Sequence, residues 1–108
     1  MANTFKLKTK ANVGVTTTAV YVAPGSTTTV VIGITASNIS GNNINVGIGI
    51  TRASADDIHL MKYVPIPQGS SFEFMQGNKI VLETTDTITA KSDVANSLDV
   101  ALTIMEIT

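Results

Sequence analysis

One histidine, eight carboxylates and seven bases are the whole stock of ionisable groups for acid–base or metal chemistry, and cysteine is absent. His59 stands two residues from Asp57. In a strand the two would share a face, as an imidazole–carboxylate pair requires. A nucleophile would have to complete such a set, and no Gly-x-Ser-x-Gly elbow occurs. The sequence therefore points to His59 as a surface or interface histidine. Gly47-Ile48-Gly49-Ile50-Thr51-Arg52 opens like a dinucleotide-binding loop, but Arg52 stands where a third glycine is needed. The run also alternates like a strand instead of joining a strand to a helix. Glycines at 47 and 49 would bare one face of that strand, so another backbone or sheet could come close, and both are candidate partner contacts. The carboxylates cluster at Asp56-Asp57 and at Glu83 with Asp86, without the spacing of a calcium loop, and read as solvated turn residues. A transition-metal site would have to rest on carboxylates almost alone. No catalytic residue, metal or cofactor is expected, and the chain is expected not to be an enzyme. Asn38-Ile39-Ser40 matches a glycosylation sequon, which carries little meaning without a secretion signal.

The charges are few and unevenly placed. Charged residues make up 14% of the 108, against about a quarter in an ordinary domain. The surface must therefore be rich in Thr, Ser, Asn and Gly, as suits a protein buried in an assembly or one that uses neutral polar residues in place of Lys and Glu. Every acid follows position 55, while Lys6, Lys8, Lys10 and Arg52 precede it. The basic strip Lys6-Lys8-Lys10 is a candidate contact with an acidic partner, and pairing between the two halves within one fold is the competing reading. The net charge of −1 gives no reason to expect nucleic acid. No apolar run is long enough to cross a membrane as a helix, and the start lacks the apolar core of a signal peptide, so assembly in a cytoplasm is expected.

The elements that must position these residues are strands. Period-two alternation runs through Phe5-Leu7, Val30-Ile32-Ile34, Ile44-Val46-Ile48-Ile50, Ile58-Leu60-Lys62-Val64, Phe72-Phe74, Ile80-Leu82 and Leu98-Val100-Leu102-Ile104. Phe5, Phe72 and Phe74 follow the pattern of core residues, leaving Tyr21 and Tyr63 as weak candidates for a carbohydrate platform. Breaks are expected at Pro24-Gly25-Ser26, residues 38–43, Pro65-Ile66-Pro67-Gln68-Gly69, Gln76-Gly77-Asn78 and Thr84-Thr85-Asp86. Residues 53–58 read as a bulged loop, with a single helical turn as the alternative, and 91–97 as a polar loop. The sum is one all-β domain over residues 1–108, a β-sandwich or jelly roll of seven to nine antiparallel strands, with 1–12 as an arm or edge strand. Neutral, Thr-rich edges such as Thr16–Thr18 and Thr27–Thr29 invite edge-to-edge pairing unless partners cover them.

The C-terminal half carries a cadence. Residues 64–74 (VPIPQGSSFEF) lead to 77–83 (GNKIVLE), then Asp86-Thr87-Ile88 and the closing strand 97–108. This resembles small virion structural proteins of tailed bacteriophages, including marine and cyanobacterial phages. The resemblance implies a capsid decoration or cement protein, a neck or head-fibre component, or a small tail or baseplate part. It also implies a homo-oligomer, dimer or trimer, set against major capsid or neck and tail proteins in a virion. A fibre or tail module that grips a host-surface glycan is the alternative.

Overall fold

The structure, a computed structural model, describes residues 3–52, 55–74 and 79–108. Nine strands run in order: β1 (Asn3–Val13), β2 (Thr18–Val22), β3 (Thr28–Asn38), β4 (Ile44–Thr51), β5 (Ile58–Ile66), β6 (Ser71–Phe74), β7 (Ile80–Leu82), β8 (Thr87–Ser92) and β9 (Leu98–Ile107). One sheet has the order β1-β9-β3, with β6 and β7 sharing the far edge of β3, and the other has the order β2-β8-β4-β5. Every pairing is antiparallel. The chain changes sheet at each connection except β4–β5 and β6–β7, which is the strand order of a jelly roll.

The turns sit where Gly, Pro, Asn and Thr interrupt the alternation. Ser26 and Thr85 take left-handed backbone angles of 55° and 71°. The Asp86 amide closes the second of these turns by donating to the Glu83 carbonyl at 3.0 Å. Pro65 lies within β5 opposite Asn45. A proline is tolerated there because β5 is an edge and its missing amide breaks no ladder bond. In the loop after β3, Asn38 is buried. Its Nδ2 donates to the Asn42 and Ile66 carbonyls at 2.7 and 3.0 Å, and its Oδ1 accepts from Ser40 N and Oγ. The amide of the sequon is thus spent inside the fold. The expected turn at 76–78 lies outside the described residues, as do Ala53 and Ser54 of the expected bulged loop.

The core is aliphatic. β9 contributes Leu98, Val100, Leu102 and Ile104, β4 contributes Ile44, Val46, Ile48 and Ile50, and β8 adds Ile88 and Ala90, all buried. Leu102 is fully enclosed on the strand between β1 and β3. Leu102→Ala is expected to cost about 2–5 kcal/mol, read as a lower urea midpoint at unchanged slope. On β3 the simple alternation fails: the register with β9 shifts between Val31 and Gly33. The bulge turns both Val31 and Ile34 inward and leaves Val30 and Ile32 half-exposed.

Phe5 and Phe72 are not core residues. Phe5 is 70% exposed and Phe72 keeps 37% of its surface, while the Phe74 side chain is outside the described residues. The physical reason for Phe5 is register. β1 is an edge strand, and Lys6, Lys8 and Lys10 stand opposite Ile104, Leu102 and Val100, which are the inward residues of β9. Directly opposed residues share a face, so the lysines take the inner side and Phe5 and Leu7 the outer.

Candidate interaction surfaces

The register of β1 is pinned at one end of the sandwich. Lys6 Nζ lies 2.8 Å from Glu106 Oε1, with the lysine side chain 42% exposed and the glutamate 8%. The Tyr21 hydroxyl donates to Glu106 Oε2 at 2.6 Å and lies 2.8 Å from the Thr29 hydroxyl. Tyr21, Thr29 and Glu106 are all buried, so the cluster joins β1, β2, β3 and β9 across both sheets. The bonds from Lys6 and Tyr21 hold the Glu106 carboxyl below its ordinary range. Burial, with the bond to Glu106 second, pushes the Tyr21 hydroxyl up to about 12. Of the three candidate lysines, Lys6 is thus engaged with its own chain, Lys8 is half-buried, and Lys10 is exposed. Sequence reasoning offered Tyr21 only as a weak carbohydrate-platform candidate, which its burial overturns, and missed its link to Glu106, since nothing local joins two residues 85 positions apart.

This arrangement leaves an apolar surface outside. Phe5 stands opposite Met105, Met105 opposite Val30, and Val30 opposite Val81. These four residues form one straight outward row across β1, β9, β3 and β7. Leu7 is 67% exposed and Val81 59%, and Met105, Val30, Ile32 and Ile107 are half-exposed. The neighbouring rows, Asn3-Ile107-Thr28 and Leu7-Thr103-Gly33, carry no charge either. An exposed apolar area of this kind marks a contact surface more often than an accident of solvation.

The outer face of the other sheet carries a hollow of about 330 Å³, with Gly47 and Gly49 in its lining. Gly49 is explained within the chain: a Cβ there would sit 2.8 Å from the Ile58 carbonyl oxygen of β5. At Gly47 a Cβ would meet only the Met61 carbonyl at 3.6 Å. The backbone that comes close to this bare strand is therefore β5, folded over β4 through two register shifts. The hollow brings together His59, Lys62, Tyr63 and Lys91, with Asp57 as its one acid. Asp57 Oδ1 accepts the Arg52 amide at 2.9 Å. Among the described residues the His59 imidazole has no hydrogen-bond partner, so the shared lining with Asp57 does not amount to an oriented catalytic pair. Tyr63 is exposed at a backbone φ of 52°, a left-handed angle that costs a residue with a side chain about 1 kcal/mol. Tyr63→Gly is expected to raise stability by about 0.5–1 kcal/mol, measured as the denaturation midpoint.

The second carboxylate cluster is structural. The Arg52 guanidinium bridges Glu83 Oε1 and, at 3.2 Å, Asp86 Oδ2, which also accepts the Glu83 amide at 3.0 Å. Asp86 is buried and is not the solvated turn residue expected from sequence, whereas the Glu83 side chain is exposed. Among the described residues no three His, Asp or Glu side chains are gathered as a metal site.

No protein-family profile matches this chain, and no curated protein matches it either. By fold it is similar to a solved protein of Bacillus endospore appendages, described as a novel family of disulfide-linked pili. The TM-score is 0.60 at 14% identity, over 99% of this chain and 87% of the other. At that identity the likeness shows the fold alone.

Proposed function

We propose that this chain is a non-enzymatic structural subunit that assembles with copies of itself. The observation that carries the reading is the outward apolar row centred on Phe5, Met105, Val30 and Val81, on a face without charges along its three adjoining rows. A solitary sandwich in water gains nothing from turning Phe5 and Leu7 out while its lysines line the inner side of the edge. The fold likeness to an appendage protein from disulfide-linked pili supports a building-block role. This chain has no cysteine, so its contacts would be non-covalent.

The setting favoured by the sequence cadence is the virion of a tailed bacteriophage, with the chain as a decoration or cement protein across joints of the shell. Quantitative mass spectrometry of purified particles tests this setting. Hundreds of copies per particle, counted against the major capsid protein, are the expected result. A few tens would move the chain to the neck, tail or fibres, and absence would remove the virion setting while leaving the self-assembling subunit.

A second reading rests on the hollow. A glycine-floored trough with an exposed tyrosine, a histidine and two lysines suits an acidic carbohydrate, whose ring stacks on Tyr63 and whose carboxylate meets Lys62 or Lys91. Glycan-array binding that is lost in Tyr63→Ala would support it, and an array without signal would remove it.

A further inference from the structure

The outermost strands of a sheet carry unpaired amides and carbonyls, and such edges pair with other chains unless something prevents it. Here the edges are β1 and the pair β6 and β7 in one sheet, and β2 and β5 in the other. Those other than β1 are short or irregular. β6 and β7 have four and three residues, and β2 has five, with a register shift between Ala19 and Tyr21. β5 contains Pro65, which has no amide to offer, and Tyr63 at a left-handed φ, and its pairing with β4 shifts twice. β1 has no such interruption over residues 3–10, which pair with β9 without a shift and include neither proline nor glycine. On backbone grounds it is the edge most open to an added strand.

What this stretch does contain is an inward charge at every second residue. Lys6, Lys8 and Lys10 stand on the core side, opposite the buried Ile104, Leu102 and Val100, and β2 of the other sheet lies against β1. Yet the Lys6 side chain is 42% exposed, Lys8 is half-buried and Lys10 is exposed. An inward lysine on an outermost strand keeps its ammonium in water by extending past the open edge. A further strand beside β1 would lay its own inner side chains across that path. The consequence differs among the three lysines. Lys6 has Glu106 at 2.8 Å and keeps an acid beside it when covered. Among the described residues Lys8 and Lys10 form no ion pair. Closing the edge would strip both ammonium groups of water with no acid in contact, which strongly disfavours it.

We propose that Lys8 and Lys10 close the β1 edge to strand addition by other copies of this chain, while Lys6 pins the register of the same strand. Such a guard is of no use to a solitary molecule. It acts where copies meet, and it leaves self-assembly to surfaces other than this edge. The inference stands on β1 alone and does not depend on the self-assembling reading.

The test replaces both guards in the full chain, as Lys8→Thr with Lys10→Thr. With the fold intact by circular dichroism, growth of thioflavin-binding aggregate should rise by about tenfold over the native chain. Lys79→Thr with Lys91→Thr removes two exposed lysines from other strands and segments and reaches the same net charge. It should behave as the native chain does, and so should Lys8→Arg with Lys10→Arg, which keeps the inward charges. Hydrogen exchange locates the contact. In the aggregate of the Thr variant, the alternate amides of residues 3–10 that face away from β9 should become protected. In the native chain they should go on exchanging at every concentration, associated or not. Equal aggregation in the native chain and the Thr variant would overturn the proposal, as would an equal rise in the Lys79 and Lys91 control. Protection of those amides when the native chain associates would overturn it without any variant, and would leave the self-assembling reading standing.

Discussion

Gly49→Val is expected to lower the stability of the domain by about 2–3 kcal/mol, among the largest effects available from adding atoms to this fold. The Cβ alone would stand 2.8 Å from the Ile58 carbonyl oxygen and 3.4 Å from Thr89 Oγ1. The first of these is backbone, so relief requires β5 to move away from β4. The same addition at Gly33 meets nothing within 4 Å. Gly33→Ala should be neutral or stabilising by up to about 1 kcal/mol, through the lower entropy of the unfolded chain. Chemical denaturation of the two variants beside the native chain measures the contrast. Equal losses would mean that β5 does not press on β4 as described.

The second large effect is a dependence of stability on pH at both ends of the scale. The Tyr21 hydroxyl, pushed up to about 12 by burial and by Glu106, keeps its proton in the folded state at pH values where the unfolded chain, near 10, has released it. Between those values the folded state binds more protons, so stability falls as pH rises. The loss between pH 10 and about 12 is on the order of 2–3 kcal/mol. At the acid end the sign reverses. Glu106 is held below its ordinary range by Lys6 and Tyr21, so its contribution is complete above the unfolded carboxylate value and is lost as pH falls through the folded one. Tyr21→Phe should flatten the alkaline limb, and Glu106→Gln the acid limb. Glu106→Ala should cost about 2 kcal/mol at neutral pH: Tyr21 loses one of its two partners, while Lys6, nearly half exposed, regains water. Thermal unfolding across pH in the three variants gives the measurement, and unchanged limbs would contradict the cluster.

The strands and most of the turns could be read from alternation and from Pro, Gly and Asn, because both signals are local. β9 is the clearest case: Leu98, Val100, Leu102 and Ile104 alternate in the sequence and all four are buried. The face each strand presents to the core was harder to read. Alternation in β1 separates Phe5 and Leu7 from the lysines but does not say which set turns inward, and the answer depends on β9, nearly 100 residues away. On β3 a bulge shifts the pattern between Val31 and Gly33, and a bulge depends on the partner strand as much as on its own sequence.

The candidate positions divided in the same way. Gly47 and Gly49 announced a bare strand face, and the structure supplies β5 as the backbone lying close to it. The Lys6-Lys8-Lys10 strip suggested a partner of opposite charge, and for Lys6 an acid is found within the chain at Glu106. Asp86 looked like any turn carboxylate, and only Arg52, brought near by the pairing of β4 with β8 that sets Thr51 opposite Thr87, makes it a buried anchor.

The most direct test of the central claim is sedimentation velocity of the purified chain over a concentration series from about 1 μM to about 1 mM. The account predicts reversible growth from the 11.3 kDa monomer to a dimer or larger species. A single 11.3 kDa species at every concentration would contradict it.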